Sequence, residues 1–215
     1  MIWSMNEIET LTKKAARGAG MSWGLAEEAG KATRRLQEWG LDGAAALADL
    51  LTATDGTARS DLLPLAVSGV WTARGGMLCP IAAGACLSDH AAVLAEHPVE
   101  MARVAQPMLL IPFAQTIAQQ IGRVIDLRWD GVRVQIGTDA VHVAGTEPAL
   151  CAAVATGVRC SPGQMVTGRK LAFTARAAIT PVTAARLGTF AHRTYAPATD
   201  ESRLAGAGAG LSDND

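Results

Sequence analysis

Four side chains in one short stretch have the types and spacing that chemistry needs. Residues 123–144 read RVIDLRWDGVRVQIGTDAVHVA, with Asp126, Arg128, Arg133 and His142 spaced along an alternating pattern. Two arginines on one surface can hold a carboxylate or a phosphate, because the guanidinium fork matches both geometries. An aspartate beside a histidine would suggest general acid–base work. Which of these the chain can do depends on the register of the strands.

Asp130-Gly131 sits between two alternating runs. It is a strong hairpin signal, since a type I′ turn needs positive φ at both central residues. A two-residue loop there pairs Trp129 with Val132, Leu127 with Val134 and Ile125 with Ile136. A second turn at Thr138-Asp139 sets Ile136 against Val141 and Val134 against Val143. The apolar set then fills one face of a three-stranded meander, and a slip of one residue would expose all of it. The other face carries Asp126, Gln135 and His142 in one row and Arg128, Arg133 and Ala144 in the next. Gln135 separates Asp126 from His142 by two strand spacings, about 9.6 Å, so they form no catalytic dyad. Arg128 and Arg133 face each other directly, which is unfavourable unless an anion or a diagonal acid such as Asp126 relieves them. Arg128, Arg133 and His142 are therefore the candidate ligand-binding residues. The competing reading is an ordinary solvated sheet face, or one covered by the chain's own helices.

The remaining chemistry-bearing residues form no motif. The cysteines (79, 86, 151, 160) and histidines (90, 97, 142, 192) do not fall at metal-ligand spacing, so no metal is expected. The cysteines read as small, reduced, buried hydrophobes. Phosphate-binding loops, nucleophile elbows and zinc-protease signatures are absent, and Gly206, Gly208 and Gly210 lack the strand and helix of a dinucleotide site. No cofactor is expected, and no catalytic residue can be named.

The 215 residues are 49% hydrophobic and 18% charged, with a formal net charge of -1, which places the chain among globular proteins. With no basic cluster, neither nucleic acid nor an anionic membrane is an expected partner. The N-terminus lacks a secretory pattern and the longest apolar runs are too short to span a bilayer, so a cytoplasmic protein is expected.

Local signals set out the elements. Ser4-x-x-Glu7 is a capping box for a first helix. Ser22 caps a second over residues 23–38, with Ala26, Ala29, Thr33 and Leu36 on its stripe, and residues 44–51 form a third. Residues 61–120 carry only six charged side chains, which requires burial in the core or against a partner. Pro80 argues against a central strand in residues 77–87, and Ser88 is placed as the cap of a helix over 89–95. Residues 99–104 and 169–177 alternate as strands. Residues 107–113 read as a buried strand or the approach to a helix over 115–121. Thr180-Pro181 starts a last helix reaching about Thr194. By composition, residues 196–215 read as a flexible acidic tail.

Three stretches, SWGLAEEAG (22–30), CPIAAG (79–84) and RTYAPAT (193–199) running into SRLAGAGAG (202–210), resemble an uncharacterised bacterial family, domain of unknown function 3726. The resemblance implies one unit over nearly the whole chain and no particular activity. It singles out Tyr195, Ser202 and Arg203 as functional candidates in the tail.

The expected fold is α+β. N-terminal helices (1–60) and a charge-poor core (61–120) precede a mostly antiparallel sheet containing the meander, with a C-terminal helix packed against it (121–195). The expected function is a non-enzymatic binding or assembly protein, partnered by a metabolic enzyme or by a second copy of itself. The alternative is an enzyme or ligand-binding protein for a small carboxylated or phosphorylated metabolite.

Overall fold

The computed structural model describes residues 2–164 and 168–195. The chain opens with β1 (Ile2–Ser4) and three helices, α1 (Met5–Gly18), α2 (Trp23–Glu38) and α3 (Gly43–Ala53). The capping box forms as read: Ser4 Oγ accepts from the Glu7 amide, and Glu7 Oε2 accepts from the Ser4 amide at 2.8 Å. Along α2 the stripe Ala26, Ala29, Thr33 and Leu36 is buried.

The middle follows as β2 (Val70–Trp71), α4 (Pro80–Asp89), α5 (Ala91–Glu96), β3 (Val99–Ala105) and α6 (Ile111–Ile121). One expectation holds here and one changes. Residues 80–89 are a helix, because Pro80 sits in its first turn, where a missing N–H costs nothing. Ser88 lies inside that helix, donating its hydroxyl to the Gly84 carbonyl, and His90 rather than Ser88 precedes α5. α4 and α6 pack so closely that a Cβ on Gly84 would lie 2.3 Å from the Phe113 ring. The charge-poor segment is largely core, but residues 63–70 leave Leu63, Leu65, Val67 and Val70 exposed.

The rest comprises β4 (Ile125–Trp129), β5 (Val132–Ile136), β6 (Val141–Ala144), α7 (Glu147–Leu150), β7 (Val154–Pro162), β8 (Arg169–Lys170), β9 (Arg176–Ala178) and α8 (Pro181–His192). The meander has the register read from the sequence, pair for pair. Gly131 supplies the positive φ of its turn, +78°. Its apolar face is fully buried, from Ile125 and Leu127 to Val141 and Val143. Each such side chain contributes about 1.5–3 kcal/mol.

The seven-stranded sheet runs β2-β3-β7-β4-β5-β6-β8; β2 and β3 are parallel and the other pairs antiparallel. β7 comes from beyond the meander and inserts between β3 and β4. At Gly157 (φ +63°) its buried alternation shifts phase, from Ala155 to Val158 and Cys160. The run 169–177 is not one strand. Only its ends pair, β8 with β6 and β9 with β1, while Leu171 turns into the core and Phe173 into solvent. α8 packs against α1 and α3, not against the sheet as expected. A Cβ on Gly18 of α1 would lie 1.8 Å from the Phe190 carbonyl oxygen of α8, so the two backbones nearly touch.

Candidate functional site

The polar face of the meander is organised by Asp126. This carboxylate is 1% exposed. Arg128 Nη2 donates to its Oδ2 at 2.5 Å, and Arg133 donates from Nη2 at 2.6 Å and from Nε at 2.9 Å. Burial pushes the Asp126 carboxyl up, but the two guanidiniums outweigh burial and hold it below the usual carboxylate range. The diagonal acid thus relieves the facing arginines, and both guanidiniums stay partly exposed.

The structure extends this row. Because β7 lies beside β4, Arg159 is the cross-strand neighbour of Arg128, and Glu100 of β3 is the neighbour of Arg159, with which it forms an ion pair. Arg133, Arg128 and Arg159 line a cleft of about 500 Å³ at the hairpin tip, together with Gly131, Gly145 and Gly157. Arg159 was not legible in the sequence, because nothing local specifies that β7 pairs with β4.

His142 does not join this group. It lies in the neighbouring row, between Gln135 and Lys170, with Gln135 separating it from Asp126. Its Nδ1 is sealed from solvent without a hydrogen-bond partner among the described residues. Gln135 is buried, and its amide donates to the Gln164 carbonyl oxygen at 2.5 Å.

A larger concave region lies elsewhere. Two adjoining cavities of about 580 and 650 Å³ share Arg35, Gln115, Gln119 and Phe173 and form one groove between α2, α6 and residues 170–173. Its α2 wall is a clamp: Glu38, itself buried, accepts from Arg34 Nε and Arg35 Nη1 at 2.9 Å each, and Arg34 also reaches Glu9 at 3.0 Å. The Thr174 amide donates to the Glu38 carbonyl oxygen at 2.7 Å and ties the outer wall to the end of α2. On α6, Gln119 donates to the Thr138 carbonyl oxygen at 3.2 Å. Gln115 differs: it is only 8% exposed, lines both cavities, and forms no side-chain hydrogen bond among the described residues. Phe173, 70% exposed, projects from the opposite wall, and Lys170 has no ion pair among the described residues. The sequence hid Gln115 within an otherwise apolar helix face.

Of the tail candidates, Tyr195 packs edge-to-face on His192 at 5.1 Å, with the Lys14 ammonium over its ring. Ser202 and Arg203 lie outside the described residues. All four cysteines are free thiols. Burial pushes each of them up, Cys160 to about 12, so none is primed as a thiolate nucleophile. Among the described residues no group of three metal-ligating side chains converges, and no helix is long and apolar enough to cross a membrane.

The fold is α+β, and its candidate sites are a polar groove and an arginine row. Residues 3–79 match the model of a family described as "Protein of unknown function (DUF3726)". The resemblance read in the sequence therefore holds over that stretch, which contains the 22–30 motif and ends at Cys79. No curated protein matches the chain. Among solved structures, a malate dehydrogenase from Entamoeba histolytica superposes with a TM-score of 0.45 at 11% identity, covering 76% of this chain and 49% of that chain. The chain thus spans about half the length of that protein.

Proposed function

We propose that the chain is a binding protein for a small polar metabolite bearing a carboxylate or phosphate, held in the groove between α2, α6 and residues 170–173. The observation that carries this reading is Gln115. Its amide has no protein partner among the described residues and is not sealed from solvent, so both its N–H groups and its oxygen are open to a ligand in the cavity. Lys170 and the free N–H groups of Arg35 supply positive charge for the anionic end. Phe173, Phe113 and Trp39 supply apolar wall for the remainder.

The test is a thermal-shift screen of carboxylated and phosphorylated metabolites against the natural chain and two variants, Gln115→Leu and Lys170→Gln. A ligand at about a hundred times its Kd stabilises by about 2.7 kcal/mol. The expected result is a metabolite that stabilises the natural chain and loses most of that effect in both variants. Equal stabilisation in all three proteins would refute the groove.

A specific observation supports a second reading, self-assembly. Leu63, Leu65, Val67 and Val70 are 38–58% exposed and run into β2, an edge strand of only two residues. So short an edge offers little backbone pairing, but the exposed apolar residues beside it are a surface that a second copy can cover. Sedimentation velocity over a range of concentrations reads this directly, and a monomer throughout would refute it.

A further inference from the structure

We infer that the arginine row at the hairpin tip is a second binding site, separate from the groove, for a compact oxyanion such as inorganic phosphate or the phosphate of a small metabolite. Arg133, Arg128 and Arg159 occupy directly opposed positions on three adjacent strands. Their stems therefore stand at intervals of about 4.8 Å. Like charges so placed are destabilising. Two carboxylates oppose them, Asp126 against Arg128 and Arg133, and Glu100 against Arg159, so one of the three positive charges is unmatched within the row. Asp130, at the tip, turns its Oδ2 to the Thr156 amide at 3.1 Å rather than to an arginine.

The donors and the space are both present. Each guanidinium carries five N–H groups. The ion pairs engage one nitrogen of Arg128, two of Arg133 and one of Arg159. The floor is open, because a Cβ on Gly131 or Gly157 would meet nothing within 4 Å.

The two carboxylates have different standing. Asp126 is sealed in the sheet and fixes its two arginines. Glu100 and Arg159 are about half exposed, 48% and 46%. An exposed pair of that kind is worth about 0–1 kcal/mol. Glu100 therefore acts as a built-in competitor, occupying Arg159 until an anion displaces it.

Phosphate titration followed by calorimetry at low ionic strength, on the full chain, tests this. Glu100→Gln frees Arg159 and should tighten phosphate binding by about two- to fivefold. Arg159→Gln should weaken it by about tenfold or more. Both residues are exposed, so both variants should keep the melting temperature of the natural chain. Gln115→Leu should leave phosphate binding unchanged, which separates this site from the groove. The inference is overturned if phosphate binds equally to the natural chain, E100Q and R159Q, or if Q115L alone abolishes binding. It is also overturned if a single-stranded oligonucleotide binds far more tightly than phosphate and loses that binding in R159Q, since the site would then serve a polymer.

Discussion

Replacing Gly84 with alanine should destabilise the protein, although alanine is the better helix former. In the interior of α4 that exchange would by itself favour the helix by about 1 kcal/mol. Against it stands the Phe113 ring, whose three nearest atoms would lie 2.3, 2.4 and 2.8 Å from the new Cβ. Ordinary contact begins at 3.4 Å, so the ring or the helix must retreat by about 1 Å in a region where Phe113 is 4% exposed. Overpacking of this kind costs typically 1–3 kcal/mol, and backbone-proximal ring atoms put the cost at the upper end. The net expectation is a loss of about 1–2 kcal/mol, or roughly 2–8 °C in Tm for a chain of this size. Gly188, within α8, is the matched control, because its Cβ would meet nothing within 4 Å. Gly188→Ala should raise stability by about 0.5–1 kcal/mol. Both are read by calorimetric melting. If Gly84→Ala melted at or above the natural chain, or both variants moved in the same direction, the close packing of α4 on α6 would be refuted. Phe113 also lines the groove, so Gly84→Ala should blunt the response to any groove ligand.

Two further outcomes follow from the sheet. The folded pKa of Asp126 is depressed, so its contribution is fully present above the unfolded value of about 3.9 and is lost as pH falls through the folded value. Asp126→Asn should cost about 1–3 kcal/mol near neutral pH, discounted from a fully buried pair because both arginines are partly exposed. Urea unfolding should show a shallower loss of stability below about pH 4 in D126N than in the natural chain; an equal loss in both would refute the assignment. At the sheet edge, Leu65→Lys combined with Val67→Lys should abolish any concentration-dependent sedimentation of the natural chain, and unchanged association would place the interface elsewhere.

The residues explain what the sequence made legible. The meander register followed from local chemistry alone: a two-residue Asp-Gly turn, strict alternation, and one face that could only be core. The same holds for the caps at Ser4, Ser22 and Thr180, where side chain and amide lie three residues apart. What escaped was non-local. No local pattern announces that residues 154–162 insert between β3 and β4, so Arg159 and Glu100 could not be joined to Arg128. Pro80 argued against a strand and in fact opens a helix, since the first turn spares it an amide. Gln115 lay hidden on a helix whose other buried positions are apolar, and its meaning appears only once Phe173 and Lys170 are seen across the groove. The last helix packs on α1 rather than on the sheet, and Gly18 of α1 is what lets the Phe190 backbone come so close.

The pairing of β1 with β9, and of α1 with α8, has a consequence for synthesis. Ile2 pairs with Ala178, so the first strand emerges from the ribosome long before its partner exists. Between the end of β1 at Ser4 and the start of β9 at Arg176 the ribosome must add about 170 residues. At 5–20 residues per second that interval is about 9–34 s. During it the α8-facing side of α1 and the edge of β1 lack their native cover. A truncation before α8 should behave as an arrested copy of that stage, not as a smaller folded protein.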